Sequence, residues 1–384
     1  MLKRTHTTLL DAVSEASSVR LNNRVYDLQA QGSDVITLSL GEAFFDLPVP
    51  TFADLPAARI HHYSHSRGLP LLRQKLAKYY QVMSGAPTDP GREILVTAGS
   101  KAAIFMALTA ILEPGDEVIV PEPLWVSYPD QVRLCRGVPV LTPWQASVDD
   151  LASYITPRTR AIIVNNPQNP SGRQLTGDEM ARLHELADRH GLYLLADEAY
   201  NEFVPDPDTF VSCLAFDPEK KHTIVCNSMS KNYGISGWRI GYLIAGAGLV
   251  DQILKIQQHV LTCPPTILSY YLAEHFETIL EHTRPQISRV VSLRNRLAAD
   301  LRNSGVSAMA GDSTFYLFVS LGRSKLDSEA FAEELLARDR VSVVPGIGYG
   351  ASCDRFVRVS VGTENEERLS RGIAALTRLM DITG

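Results

Sequence analysis

Short runs of consecutive apolar residues alternate along the chain with segments whose apolar positions recur every three or four residues. The runs are Ile94-Leu95-Val96, Val118-Ile119-Val120, Ala161 to Val164, Leu192 to Ala196, Thr223-Ile224-Val225 and Ile240 to Ile244. None alternates polar with apolar, which is how strands read when both faces are covered, as in a mostly parallel sheet between helices. After Ser100, apolar residues at Ile104, Ala107, Leu108, Ile111 and Leu112 share one helical face, and Pro114-Gly115 closes that helix. Thr176 to His190 opens on a Thr176 cap and carries Met180, Leu183 and Leu186 on one stripe. The pattern predicts an α/β sandwich from about residue 50 to about 280.

Beyond the sandwich the texture changes. Residues 285 to 303 predict one long helix, then a strand at Phe315 to Val319 and a helix around Ser328 to Ala337. Strands at Val341 to Val344 and Phe356 to Ser360 follow, and a last helix from about Asn365 to Met380. This is a smaller α+β unit. No Gly/Ser linker precedes it, so the long helix is expected to act as the hinge. The expected division is a segment 1-45 packing with the small unit, a large unit 46-285 and a small C-terminal unit 286-384. The first segment includes an amphipathic stretch and the apolar run Val35 to Leu38.

Composition narrows the class. With 384 residues, 45% hydrophobic and 21% charged, the chain is not a disordered tail, a collagen-like fibre or a coiled coil. The formal net charge is −6 and basic residues form no block, so no nucleic-acid partner is expected. The apolar stretch Ile240 to Val250 is too short to span a membrane, and no membrane partner is expected. Cys135, Cys213, Cys226, Cys263 and Cys353 are odd in number and form no Cys-x-x-Cys pair, which suits buried thiols in a reducing compartment. Lys3 and Arg4 are followed by Asp11 and Glu15 with no apolar core between, so a secretory signal is not expected and a cytoplasmic location is.

In a parallel sheet, functional groups collect where strands end. Gly99-Ser100-Lys101 follows the first sandwich strand and opens a helix, where free backbone N–H groups suit a phosphate; taken alone, the same residues favour a plain Ser100 cap. Two Asn-Pro pairs, Asn166-Pro167 and Asn169-Pro170, stiffen the loop after Ala161 to Val164. Asp197 directly follows a fully apolar strand, where a carboxylate needs a cation or a donor. Lys231 sits among Ser228, Ser230 and a glycine-rich stretch containing Arg239, either as an exposed loop lysine or as a lysine activated by burial. His61 and His65 are four apart, but Gly68 and Pro70 argue against a helix there, and no metal is expected.

Together these segments resemble the class I/II aminotransferases, pyridoxal-phosphate enzymes of fold type I. The resemblance rests on Asn166-Pro167-Gln168-Asn169-Pro170-Ser171-Gly172, Asp197-Glu198-Ala199-Tyr200, Ser228-x-Ser230-Lys231, Gly237-Trp238-Arg239-Ile240-Gly241-Tyr242, and Arg358 within Phe356 to Ser360. Twenty-eight residues separate Asn169 from Asp197 and 34 separate Asp197 from Lys231, which also fits. The resemblance implies a large cofactor domain with a mostly parallel sheet between helices, and a smaller α+β domain. It implies that Lys231 joins the aldehyde of pyridoxal 5'-phosphate, that Asp197 pairs with the ring nitrogen, and that Asn169 and Tyr200 bond the phenolic oxygen. Gly99, Ser100, Lys101, Ser228, Ser230 and Arg239 surround the phosphate on this reading, and Trp125 stacks on the ring. Tyr63 reaches the phosphate of a neighbouring subunit, which implies a homodimer. Gly41 lines the substrate side and Arg358 grips the α-carboxylate.

The implied reaction moves an amino group between an L-amino acid and a 2-oxo acid by a ping-pong sequence. In one subgroup a lysine at the position of Lys101 binds a side-chain carboxylate, which implies a dicarboxylic co-substrate. Ala43-Phe44 stands where the family often has Pro-Asp, and Gly311 to Thr314 replaces its Pro-x-Gly. Both leave room for a bulkier amino acid. The alternatives are a carbon–sulfur β-lyase on the same scaffold and a non-catalytic cofactor-binding effector. The retained Lys231 and Arg358 favour an enzyme, and the absence of a basic helix-turn-helix ahead of the fold argues against an effector. No Rossmann fingerprint or phosphate-loop motif supports a nucleotide enzyme.

Overall fold

The computed structural model describes residues 6–47 and 52–384, so Lys3 and Arg4 lie outside the described residues. Strand β1 (Ile36–Thr37) belongs to the C-terminal part of the molecule, as shown below. Seven strands then build the main sheet: β2 (Ile94–Thr97), β3 (Glu117–Pro121), β4 (Val138–Thr142), β5 (Thr159–Asn165), β6 (Tyr193–Asp197), β7 (Thr223–Ser228) and β8 (Gly241–Ile244). Their spatial order is β2-β8-β7-β6-β5-β3-β4, with only β8 antiparallel to its neighbours. Every residue of β2, β7 and β8 is buried, the consequence of helices on both faces. One layer is built around Leu72, Leu76, Tyr80, Met180 and Tyr271, the other around Ile104, Leu108, Val132 and Ile253.

The fold is α/β as expected, with local differences that have physical causes. β4 is absent from the sequence reading because it is a sheet edge: Val138 and Leu141 are exposed and Pro139 interrupts the apolar run. The Gly177–His190 helix has the full reciprocal cap, Thr176 Oγ1 accepting the Glu179 N–H and Glu179 accepting the Thr176 N–H, and it ends on left-handed Gly191. The long helix starts at Thr266 and not at 285. Pro285 reads as a helix start, yet it lies inside a helix that runs to Asn303 and changes direction at His275. An interior proline costs about 3 kcal/mol. Tyr271, Leu272, Phe276, Ile279 and Leu280 before it, and Ile287, Val291 and Leu301 after it, are all buried. At roughly 1.5–3 kcal/mol per large apolar side chain, that burial outweighs the proline.

The second region carries β9 (Tyr316–Ser320), β10 (Val341–Ser342), β11 (Val344–Pro345) and β12 (Phe356–Ser360). β11, β12 and β9 form an antiparallel sheet, while β10 pairs in parallel with β1. The single strand expected over Val341 to Val344 is therefore two, parting at Val343 to join different sheets. Ile36 and Leu38 share a core with Leu317, Val359 and Leu376, and so do Ala199, Tyr200 and Phe203 from the end of β6. The last helix, Glu366–Ile382, is capped by Asn365. Cys226 is fully buried, whereas Cys263 is only half-buried; all five thiols are free. Among the described residues no helix is long and apolar enough to cross a membrane, and no group of three or more His, Cys, Asp or Glu is placed to hold a metal.

Candidate active site

The carboxyl ends of β5, β6 and β7 open on one side of the sheet. A cavity of about 510 Å³ lies there, lined by Gly41, Ser100, Lys101, Trp125, Asn169, Asp197, Tyr200, Ser228, Ser230, Lys231, Arg239 and Arg358. Of the residues expected from the sequence, only Gly99 and Tyr63 are not on its wall. Gly99 adjoins it, and Tyr63 is 84% exposed on the outer surface. A second cavity, about 570 Å³, lies behind the Asn165–Gln168 loop and touches none of the expected residues. The expected residues gather on the first.

One end of the cavity is positive. The Ser100–Ile111 helix is capped by Gly99 at φ +85° with no side-chain bond, so Ser100 is its first residue and not its cap. Its first N–H groups thus remain free for a ligand. A Cβ on Gly99 would lie 2.4 Å from Arg239 Nη2, and one on Gly241 2.4 Å from the Gly99 carbonyl carbon, so only glycine allows this close approach. Arg239 itself takes a left-handed backbone, φ +57°, and its Nη1 donates to Ser230 Oγ at 3.3 Å. Ser228 and Ser230 hydroxyls are 2.7 Å apart. Burial, and then the Arg239 charge, hold the Lys101 ammonium below its ordinary pKa. Neither cation has a carboxylate partner among the described residues. Two unpaired cations, two hydroxyls and a free helix N-terminus fit a phosphate dianion.

The opposite end is negative. Asp197, 6% exposed, accepts from Tyr128 Oη at 2.7 Å and from the Ala199 N–H at 3.2 Å. Burial pushes its carboxyl up to about 6, against the pull of those bonds and of Lys231. A carboxylate so placed calls for a cation facing it, such as a protonated ring nitrogen. Burial conversely lowers Lys231 to about 8, and its Nζ donates to the Gly41 carbonyl. The Trp125 ring meets Tyr128 edge-on at 5.2 Å and lies 4.9 Å below Lys101 Nζ.

Arg358 forms the third wall, 4% exposed. Its Nη2 donates to the Ser39 carbonyl at 2.7 Å and its Nη1 to Asn169 Oδ1 at 3.3 Å, while its buried Nε has no partner. The guanidinium stacks on Tyr316 at 4.3 Å, and Tyr316 Oη lies 3.1 Å from Tyr200 Oη. Asn169 Nδ2 approaches Tyr200 Oη at 3.4 Å. A buried, forked cation with an unused donor suits a carboxylate.

The sequence reading missed Tyr128, Tyr316, Glu42 and the helix residues Ser18, Val19 and Asn22, which also face the cavity or its carboxylate. Tyr128 stands three positions after Trp125 and opens the Tyr128–Leu134 helix, a signal that could have found it; nothing in residues 17–22 marks them. Tyr128→Phe removes the one side-chain donor to the Asp197 carboxylate among the described residues. A hydrogen bond to a buried charge is worth about 1.5–3 kcal/mol. The expected result is a cofactor affinity at least about tenfold weaker by equilibrium titration, with the unloaded Asp197 carboxyl moved further up.

The profile of the aminotransferase class I and II family matches residues 34–376. The chain is 32% identical over 358 residues to an aspartate aminotransferase of Pyrococcus abyssi, covering 90% of this chain and 91% of that one. It is 33% identical over 359 residues to an aromatic-amino-acid aminotransferase of Thermococcus litoralis, covering 90% and 91%. An aspartate aminotransferase structure from Thermus thermophilus with maleate superposes with a TM-score of 0.89 at 30% identity, over 98% of this chain and 100% of that one. The two charged ends of the cavity match the phosphate and the ring nitrogen of the cofactor on which that family depends, and the chain belongs to the class I and II aminotransferases, enzymes dependent on pyridoxal phosphate.

Proposed function

We propose that this enzyme transfers the amino group of an L-amino acid to a dicarboxylic 2-oxo acid, with Lys231 as the reacting lysine. The observation that carries this reading is the convergence of Lys231, Asp197 and Arg358 on one cavity that also holds an unpaired Lys101. Gly99, Ser100, Ser228, Ser230, Lys101 and Arg239 hold the phosphate. Asp197 holds the ring nitrogen, Asn169 and Tyr200 the phenolic oxygen, and Trp125 the ring face. Bound there, pyridoxal phosphate supplies a carbonyl that takes up the amino group and a conjugated ring that accepts the electron pair left at Cα.

The chain's own residues do the rest. Arg358 holds the α-carboxylate by two parallel N–H···O bonds, which sets the Cα–H direction. Lys231 Nζ takes the proton from Cα and later returns it, a role helped by an ammonium already lowered to about 8. Gly41 walls the substrate side, where its carbonyl accepts from Lys231 Nζ. Lys101 meets the distal carboxylate, in keeping with the relative whose structure is described with maleate, a dicarboxylate. Tyr63, exposed on one protomer, is proposed to reach the phosphate of a second copy in a homodimer. Residues 46-285 serve as the cofactor-binding unit, and 286-384 with 1-45 as the unit that brings Arg358. A reducing cytoplasm suits five unpaired thiols.

A two-stage half-reaction tests the proposal. One equivalent of amino acid is expected to be consumed per site and to stop there, until a dicarboxylic 2-oxo acid returns the enzyme to its start. Continuous ammonia release without any oxo acid would mean a lyase. With pyridoxal phosphate saturating, so that any loss of phosphate binding at Lys101 is masked, Lys101→Met is expected to raise KM for the dicarboxylic oxo acid about tenfold while leaving a monocarboxylic one within about twofold, since one charge-assisted bond is lost.

A further inference from the structure

Lys231 rides on a turn of only four residues, Met229–Asn232. A single helical turn fixes several dihedrals for one hydrogen bond and has little stability of its own, so its geometry is set from outside. The entry is held by the Asn227 side-chain carbonyl, which accepts the Ser228 N–H at 2.6 Å, and by Ser228 Oγ, which accepts the Ser230 N–H at 3.0 Å. The exit depends on Asn232, the neighbour of the lysine. Its Nδ2 donates to Asn201 Oδ1 at 2.6 Å, and its own carbonyl oxygen is buried without a partner among the described residues. The same Asn201 oxygen accepts Asn227 Nδ2 at 3.0 Å. One oxygen atom therefore accepts from Asn227, two positions before the turn, and from Asn232, which ends it.

Asn201 is held in turn. Its Nδ2 donates to Tyr79 Oη at 2.6 Å, Tyr79 Oη donates to Glu202 Oε1 at 2.7 Å, and Glu202 takes two bonds from Arg284 at 3.0 and 2.9 Å. The three asparagines are between 0 and 3% exposed, so water does not stand in for a lost bond. Asn201 also directly follows Tyr200, which faces the cavity.

We propose that Asn201 is a positioning residue that clamps the two ends of the lysine-bearing turn and so fixes the approach of Lys231 Nζ to Cα of the substrate. The inference rests on the reading of Lys231 as the reacting lysine. Proton transfer needs the nitrogen within a few tenths of an ångström of its place, so a loosened turn slows chemistry more than it weakens binding.

The test uses the cofactor-loaded enzyme, its Asn201→Leu variant, which keeps the shape without polar atoms, and Asn201→Asp at pH 6. The Asp carboxyl keeps an oxygen where the Asn201 amide oxygen accepts from Asn227 and Asn232. Borohydride reduction with peptide mapping is run on all three. The label is expected on Lys231 throughout. For Asn201→Leu, kcat is expected to fall at least about tenfold with KM within about twofold. The pH midpoint of the cofactor's absorbance is expected to move by at least about half a unit, because the lysine's surroundings change. Asn201→Asp is expected to restore both. If Asn201→Leu does not fold, Asn232→Ala removes one of the two bonds and is expected to give about a threefold drop with a shift of the same sign. Wild-type kcat and titration in the folded variant, or a loss that Asn201→Asp leaves in place, would overturn the inference alone. A wild-type label away from Lys231 would overturn the reading of the site and the inference with it.

Discussion

Lys231→Ala is expected to lower kcat by roughly 10⁴-fold, the upper end of what a positioned acid–base group contributes. Among the described residues that line the cavity Lys101 is the one other amine, and it lies at the positive end over Trp125. Among the described residues Lys231 Nζ has one hydrogen bond, to the Gly41 carbonyl, and burial has already taken its ammonium down to about 8. Its loss removes a base and leaves one backbone carbonyl unpaired, so the cost to stability is small beside the cost to rate. Rapid-mix measurement of the amino-acid half-reaction gives the first, and thermal unfolding the second. A variant that keeps even a hundredth of the wild-type half-reaction rate would remove Lys231 from proton transfer at Cα.

The residues proposed to bear the chemistry stand out in the sequence because each interrupts a pattern. Asp197 ends an apolar strand, the Asn-Pro pairs stiffen a loop, and the lysine follows two serines at another strand end. Buried charge is costly, so such interruptions stand out against a continuous core. What supports them was not legible. Tyr128, Tyr316 and Asn201 are residue types that any core or turn accepts, and their meaning lies in partners 69, 116 and 26 to 31 positions away. Glu198 stands in the motif without a role at the site. It sits beside Asp197 in the motif, yet it turns away from the cavity to accept Ser212 Oγ and the Cys213 N–H. Alternation along a strand sends neighbours to opposite sides, and a motif read as a string hides that. The fold followed the same rule: buried strands with no polar alternation were plain, whereas the half-exposed edge β4 and the proline-containing helix were misread.

Asp197→Asn is expected to change activity and stability in opposite directions. On the proposed reading the carboxylate would pair with the protonated ring nitrogen of the bound cofactor, and breaking a buried charge pair costs about 3–5 kcal/mol. If most of that falls on the step that loads electrons into the ring, kcat drops about 10²–10³-fold, at 1.36 kcal/mol per tenfold. In the unloaded chain the same carboxylate is a burden. Burial raises it from 3.8 to about 6, so the folded state binds more protons than the unfolded state between those values. Stability therefore falls as pH rises from about 4 to 6 and stays lowered above, by roughly 3 kcal/mol for one such group. Asparagine carries no charge to desolvate, but its single oxygen accepts from only one of Tyr128 and Ala199, which returns about 1 kcal/mol. The unloaded variant is thus expected to be about 2 kcal/mol more stable than wild type at pH 8, with the gap closing as pH falls below 6. Denaturant unfolding of both proteins at pH 4, 6 and 8 measures this. A variant that loses activity and is also less stable at pH 8 would show that the Tyr128 and Ala199 bonds outweigh the desolvation of Asp197, and that this carboxylate is held for structure and not kept waiting for a cation.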